Sequence, residues 1–333
     1  MRVVVTGASG NIGSACLRAL TADGRHEVVG VARRRPELPQ PTDLASVTWR
    51  SVDVGRDDLD SVVAGADAVV HLAWMFQPTH APDETWRTNV VGTRRLLSAV
   101  RRRGVPVVVC ASSVAAYSPV DHDDPVDEHW ATDGTSSAAY CREKAYNERV
   151  LDAFEAETPN VRVVRLRPAF VFQRSAASEQ RRIFGGALLR PAFFDRRFVP
   201  LLPVPKGLRM QAVHAGDVAR AVVAAVERPV AGPFNLAAKG VLDRHDLGEL
   251  LDAPTVELPA GLLRAGVHAA WHARVAPVPA SLLTAFLSVP LLSAARARAE
   301  LGWSPHHTAS EAVGEMLQGA AMSAGSGMPP LHP

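Results

Sequence analysis

The sequence predicts an α/β fold: a Rossmann-type doubly wound parallel sheet followed by a smaller, mostly helical C-terminal region. Three observations carry this. Short β-branched runs alternate with helix-length amphipathic stretches through the first half of the chain, the pattern of βαβ units. The runs are near-continuously apolar, as strands are when helices cover both faces of a sheet. The first run ends in a glycine-rich turn that opens directly into a helical pattern.

Taken in order, strands are expected at 3–6, 28–32, 47–52, 68–72, 105–111 and 161–166, with helices at 12–22, 57–64, 85–103 and 138–157. After Pro168 the rhythm breaks. Residues 170–205 are rich in Phe, Pro and Arg without a clean period, and are expected to leave the sheet. Order returns at 212–226, a helix opened by His214-Ala215-Gly216-Asp217, followed by a short strand at 233–236. From 241 the chain reads as helical and Pro-interrupted, and 325–333 as a frayed tail. No internal repeat is visible.

Composition narrows the function. A chain of 333 residues can bury a substantial core, and 47% hydrophobic with 21% charged residues is ordinary for a globular protein. A net charge of +2 provides no field to gather nucleic acid, so no nucleic-acid partner is expected. Cys16, Cys110 and Cys141 have neither paired nor metal-ligand spacing, so a reducing cytoplasm and no metal are expected. Residues 1–7 have no basic, apolar leader pattern. Residues 275–295 are uncharged and about as long as a membrane span, but Pro277, Pro279 and Pro290 interrupt them. A buried or pocket-lining segment is expected there, and a membrane partner is not.

Directly after the first strand comes Thr6-Gly7-Ala8-Ser9-Gly10-Asn11-Ile12-Gly13. Glycine permits the turn, lets a pyrophosphate approach the main chain and lets helix pack on strand, while the helix N-terminus faces the phosphates. This makes the region a dinucleotide-binding candidate, with 1–169 completed by 212–238 as the cofactor domain and 170–211 with 239–333 as the substrate region. In such folds an acid at the end of the second strand holds the ribose hydroxyls of NAD, and a basic residue accommodates the extra phosphate of NADP. Here the chain reads Ala32-Arg33-Arg34-Arg35. NADP is therefore the preferred cofactor and NAD the alternative, unless the arginines are only a solvated loop. Asp53, beside Val54, is placed to meet the adenine amino group or to serve as a turn residue.

Tyr140 and Lys144 stand four apart on one helix face. A tyrosine serves as a base at neutral pH only if its pKa falls by about three units, roughly 4 kcal/mol, which an adjacent ammonium and a bound nicotinamide cation can largely supply. The pair follows the fifth strand, whose C-terminal end carries Ser112-Ser113, where open α/β sheets place ligands.

To these residues the chain adds His71-Leu72-Ala73 after the fourth strand, Asn89-Val90-Val91-Gly92-Thr93 in the next helix, Tyr117, Leu166-Arg167-Pro168 and Val213-His214 through Asp217-Val218-Ala219. Over about 1–236, with an echo at Leu301-Gly302-Trp303-Ser304-Pro305, it resembles the extended short-chain dehydrogenase/reductases, the epimerase/dehydratase-like group. The resemblance implies Tyr140 as general acid or base, Lys144 as holder of the nicotinamide ribose, Ser113 as hydrogen-bond partner of the reacting oxygen and Asn89 as support for a water relay. It implies cofactor contacts from Gly7 to Gly13, from Leu72 and Ala73, and from Pro168. A homodimer is implied only by the resemblance. His71 and His214 read as structural.

The departures are informative. Val114-Ala115 stand where the family's dehydratases carry an acid pair, and Met210 stands where its sugar-nucleotide epimerases carry an arginine, with Arg209 adjacent. Phe172-Gln173-Arg174 replaces the usual Tyr-Gly-Pro. With Phe184, Phe193, Phe194, Phe198 and Trp271, this points to a substrate more apolar than a nucleotide sugar. The expected function is an NAD(P)(H)-dependent reductase or dehydrogenase of a small carbonyl or alcohol. The alternatives are a nucleotide-sugar epimerase and a non-catalytic NAD(P)-binding regulator.

Overall fold

A computed structural model describes residues 1–36, 42–77, 79–186 and 201–332. Its main sheet takes β1 (Arg2–Thr6), β2 (Glu27–Ala32), β3 (Thr48–Ser51), β4 (Ala68–His71), β5 (Val107–Ala111) and β6 (Arg162–Pro168) from the first half of the chain, and β10 (Gly232–Leu236) from much later. All pairings are parallel, in the order β10-β6-β5-β4-β1-β2-β3. Outside it, β7 (Phe170–Phe172) pairs with β9 (Ala212–His214), and β8 (Leu202–Pro205) with β11 (Thr255–Leu258).

Because alternate strand residues face opposite sides, the apolar runs build two cores. Val3 and Val5 pack with Val28, Val70, Val109 and Val164 on one face, and Val4 packs with Val29, Val69, Val108 and Val163 on the other. The first face is covered by α1 (Asn11–Thr21) and, from later in the chain, α7 (Ala215–Glu227); the second by α2 (Asp60–Val63), α4 (Gly92–Arg103) and α5 (Ala139–Glu157), with α3 (Pro82–Trp86) leading into α4. The remaining helices are α6 (Ala177–Gly185), α8 (Arg244–Leu251), α9 (Ala260–His272), α10 (Ala280–Ser288), α11 (Ala295–Glu300) and α12 (Ala309–Ala321). The chain crosses from β1 to β2 on one side and reaches β4 on the other, so the crevice between the C-terminal ends of β1 and β4 is the topological switch point.

Four expectations are corrected. The helix expected at 57–64 is only one turn long, because Asp58 caps its start through the N–H groups of Asp60 and Ser61, and Ala64 leaves helical geometry. The helix expected at 85–103 begins at Pro82 and contains a π-turn, Arg87–Val91, a local widening that carries Asn89. Residues 170–185 do leave the main sheet, but as β7 and α6 rather than as irregular chain. The tail is not frayed: Met328 and Leu331 are fully buried in the first core, and Arg182 donates to the carbonyls of Pro330 and His332. The uncharged 275–295 segment folds as α10 with flanking turns, and no helix among the described residues is long and apolar enough to cross a membrane.

Candidate active site

Gly7 has φ +69°, and a Cβ there would lie 2.6 Å from the backbone of Leu72 and Ala73. A Cβ on Gly13 would lie 2.1 Å from the Gly7 carbonyl. Only glycine lets β1, the turn and the end of β4 approach this closely. Gly10 caps α1 without a side-chain hydrogen bond, which leaves the positive end of an eleven-residue helix facing the crevice. A cavity of about 900 Å³ opens here, lined by Gly7, Ser9, Gly10, Asn11, Ile12 and Gly13, by Arg33 and Arg34, by Val54, by Leu72 and Ala73, and by Pro168. These residues fit a dinucleotide: a backbone cradle that a Cβ would fill, a helix N-terminus for the phosphates, and exposed guanidinium groups at the far end.

Asp53 is not among the residues lining that cavity; its Oδ1 accepts the Gly55 N–H at 2.8 Å, the turn role, while Val52 and Val54 on either side face the cavity. Gln173 donates from Nε2 to the Asn11 carbonyl at 2.6 Å, tying the end of β7 to the glycine turn.

At the other end of the same cavity stand Ser113, Tyr140 and Lys144. Ser113 leaves β5 in extended geometry and its Oγ accepts the Ala115 N–H at 3.1 Å. Tyr140, in the first turn of α5, donates its hydroxyl to Ser113 Oγ at 3.2 Å. One turn on, Lys144 Nζ donates to the Ala111 carbonyl at 2.9 Å. Burial pushes the Tyr140 phenol up to about 12, against the Ser113 hydrogen bond, and pulls Lys144 down to about 7, against Glu148. Lys144 Nζ lies 5.9 Å from the Tyr140 ring centroid, and burial sets the direction of the phenol's shift. The phenol therefore stays protonated at neutral pH.

Asn89 is fully buried on the π-turn. Its side chain accepts the Met75 N–H at 2.6 Å and donates to the Met75 carbonyl and Glu143 Oε2. Its carbonyl accepts from Asn147 Nδ2, and Asn147 and Lys144 both border a separate cavity of about 20 Å³, room for one water. His71 sits between the hydroxyls of Thr6 and Thr93, its pKa held near 3 by burial. His214 caps α7, its Nδ1 accepting the Gly216 N–H, so Nε2 carries the proton toward Glu315. His307 packs against the His214 ring, centroids 4.1 Å apart, with its Nδ1 3.2 Å from Asp217 Oδ2.

Sequence reasoning missed the aromatic walls. Trp74 and Phe76 from the loop after β4 and Phe286 from α10 surround the Tyr140 ring, with centroids 5.6, 5.2 and 6.4 Å away. Phe184 and Phe170 extend the cluster around Phe286. Phe184 was legible as apolar, and Phe286 lies in the uncharged segment read as pocket-lining, but Trp74 carried no signal beyond following His71-Leu72-Ala73. Glu179, its pKa raised to about 7 by burial, and Pro330 also line the cavity. Trp271 packs outside it, stacked on His80 and donating to Thr79. Phe193, Phe194 and Phe198 lie outside the described residues.

A phenol and a serine hydroxyl converging on one point, beside a buried lysine at the end of a dinucleotide cradle, is the apparatus of an enzyme working with a nicotinamide cofactor. A family model described as the NAD dependent epimerase/dehydratase family matches residues 3–237, and the chain belongs to that family. Among curated relatives it is 28% identical over 267 residues to an uncharacterised protein of Mycobacterium tuberculosis, covering 79% of this chain but only 25% of that protein's length. It is 26% identical to the UDP-glucose 4-epimerase of Corynebacterium glutamicum over 92% of both chains. It is likewise 26% identical to a 4-hydroxy-2-methyl-3-oxo-4-farnesyl-3,4-dihydroquinoline-1-oxide ketoreductase of Stigmatella aurantiaca over 99% of both. A solved UDP-glucose 4-epimerase of Thermotoga maritima with UDP-glucose superposes at a TM-score of 0.72, with 18% identity, covering 97% of this chain and 99% of that one.

Proposed function

We propose that the protein is an NAD(P)(H)-dependent oxidoreductase that interconverts a carbonyl and an alcohol on a small, mostly apolar molecule. The observation that carries this is the setting of Tyr140: a neutral phenol, hydrogen-bonded to Ser113 at 3.2 Å and boxed by Trp74, Phe76 and Phe286. Residues 1–169 with 212–238 would hold the dinucleotide through the glycine turn, Arg33, Arg34, Val54, Leu72, Ala73, Lys144 and Pro168, leaving 170–211 and 239–333 for the substrate. When bound, the nicotinamide exchanges a hydride with the substrate carbon. Ser113 Oγ and Tyr140 Oη together grip the substrate oxygen. In reduction Tyr140 delivers its proton to that oxygen as negative charge develops there, and in oxidation it takes the proton back. A phenol that stays protonated through neutral pH suits the reducing direction. The aromatic walls exclude water and offer flat apolar contact. The Stigmatella ketoreductase, matched end to end, supports a farnesylated or similarly apolar carbonyl as the substrate class.

The second reading is a nucleotide-sugar epimerase, favoured by the overall likeness to such enzymes and by Arg209 lining the cavity beside Met210. Against it, Met210 supplies no charge at the position beside Arg209, whose Nε is paired to Asp123 at 2.7 Å, and buried phosphates short of charged donors cost several kcal/mol each. Calorimetric titration of cofactor-loaded protein with UDP, UDP-glucose and dTDP-glucose tests the choice. No micromolar binding is expected, while turnover of apolar ketones followed by nicotinamide absorbance is. Micromolar binding of any of the three would move the epimerase reading into first place.

A further inference from the structure

We propose that Trp74 is a positioning residue: the face of its indole holds the Lys144 ammonium in place and in its charged form. This rests on the Tyr140/Lys144 reading above. Lys144 Nζ stands 3.6 Å from the Trp74 ring centroid, close for a cation over an aromatic face. An ammonium has three N–H donors. One goes to the Ala111 carbonyl and one side of the group is covered by Trp74, which leaves donor capacity directed at the cavity.

The ionisable groups around Nζ, Glu148 first, favour its charge from a distance, but among the described residues none receives one of its hydrogen bonds. Glu148 and Glu143 lie on the same helix, Cys110 on β5 and His71 on β4, with the Tyr140 ring beyond. Glu148 is consumed by Arg165, Arg167 and Ser112, and Glu143 by Thr85 and Asn89. Burial keeps the Cys110 thiol protonated, at about 12, and His71 neutral. A carboxylate beside Lys144 would hold the charge but also capture its donors in an ion pair. An aromatic face attracts the charge and leaves the donors for the cofactor ribose and the substrate site. Burial favours the neutral amine and, against Glu148, brings Lys144 to about 7, so removal of the ring has a direction.

The chain has three lysines, Lys144, Lys206 and Lys239, so carbon-13 labelling at lysine Cε gives three resonances, with Lys144 assigned by its loss in Lys144→Met. In Trp74→Leu the Lys144 titration should move down by about one pH unit, a tenfold change in its protonation equilibrium. Trp74→Phe should move it less, because its face is the weaker partner. The alkaline limb of kcat/KM for carbonyl reduction should move with it in both variants. An unmoved Lys144 titration in Trp74→Leu, or equal shifts in the two variants, overturns the proposal. If Trp74→Leu does not fold, Trp74→Phe decides, and an unmoved titration there is equally fatal. The resonance needs no turnover, so it separates this proposal from the catalytic reading, which falls instead if Tyr140→Phe keeps its activity.

Discussion

Two stations one turn apart on α5 handle buried charge in opposite ways. Tyr140, Lys144 and Glu148 follow one another at intervals of four on one face of the helix, Tyr140 partly buried and the other two buried. At the inner station Glu148, fully buried, accepts from Ser112 at 2.5 Å and from Arg165 and Arg167 at 3.2 and 2.7 Å. Arg167 continues to the Tyr117 hydroxyl, and Tyr117 to Asn235, which knits β6 and β10 to the helix. Every lone pair of the carboxylate is spoken for, and its pKa is held below the ordinary range by the arginines despite burial. At the outer station Lys144 makes no ion pair among the described residues; it rests on a carbonyl and an aromatic ring. Charge that is saturated holds a fold, and charge left undersatisfied at the edge of a cavity is available for chemistry.

The largest effect that would sharpen this contrast lies at the outer station. Tyr140→Phe should lower turnover of a verified carbonyl substrate by about 10²–10⁴, the usual worth of a positioned proton donor, with cofactor affinity close to normal because the ring still packs. Steady-state rates and a fluorescence titration of cofactor read the two separately. Substantial residual activity would remove Tyr140 from the mechanism.

At the inner station the loss should appear as stability. Glu148→Gln leaves two buried guanidinium groups short of a partner, a change of about 3–5 kcal/mol by urea unfolding. Lys144→Met should do the reverse. Burial depresses the folded pKa of Lys144 from 10.5 to about 7, so below pH 7 the folded chain carries a costly buried charge. That cost is released as pH rises from 7 to 10.5, where the unfolded chain binds the proton and the folded chain does not. The variant's advantage, of order 5 kcal/mol by linkage, should be greatest near pH 6 and close by about pH 10. Equal and opposite stability changes at the two stations would support the division; destabilisation by Lys144→Met at both pH values would break it.

The fold was legible because its signals are local. Continuous valine runs and a glycine turn specify strand, crossing and helix within a few residues, and each of the six strands read from the first half of the chain joins the main sheet. The Tyr140/Lys144 spacing was legible for the same reason. The cavity walls were not, since Phe76, Phe286, Glu179 and Pro330 come from four distant segments and meet only through tertiary packing. The tail misled because its small and polar residues look unconstrained, while its two large apolar ones, Met328 and Leu331, find the main core. Asn89 was singled out by motif, but its hydrogen bonds depend on a π-turn that no local signal announced.

The same contrast between held and offered charge separates the arginines. Arg165 and Arg167 are buried and paired to carboxylates, whereas Arg33 and Arg34, at the C-terminal end of β2, are exposed, line the cavity at the glycine turn and make no ion pair among the described residues. Ala32, immediately before them, removes the carboxylate that would bind ribose hydroxyls and repel a phosphate. A guanidinium bound to a phosphate contributes about 1.5–3 kcal/mol, roughly ten- to a hundredfold in affinity. Arg33→Ala/Arg34→Ala should therefore weaken NADPH binding by that factor and leave NADH nearly unchanged. Because Arg33 and Arg34 are exposed, the NADPH affinity of the unaltered protein should fall more steeply as salt is raised than that of the double variant. Equal wild-type affinities for the two cofactors, or an NADPH affinity indifferent to the double substitution, would place these arginines with the solvated loop and leave the choice of cofactor to other residues.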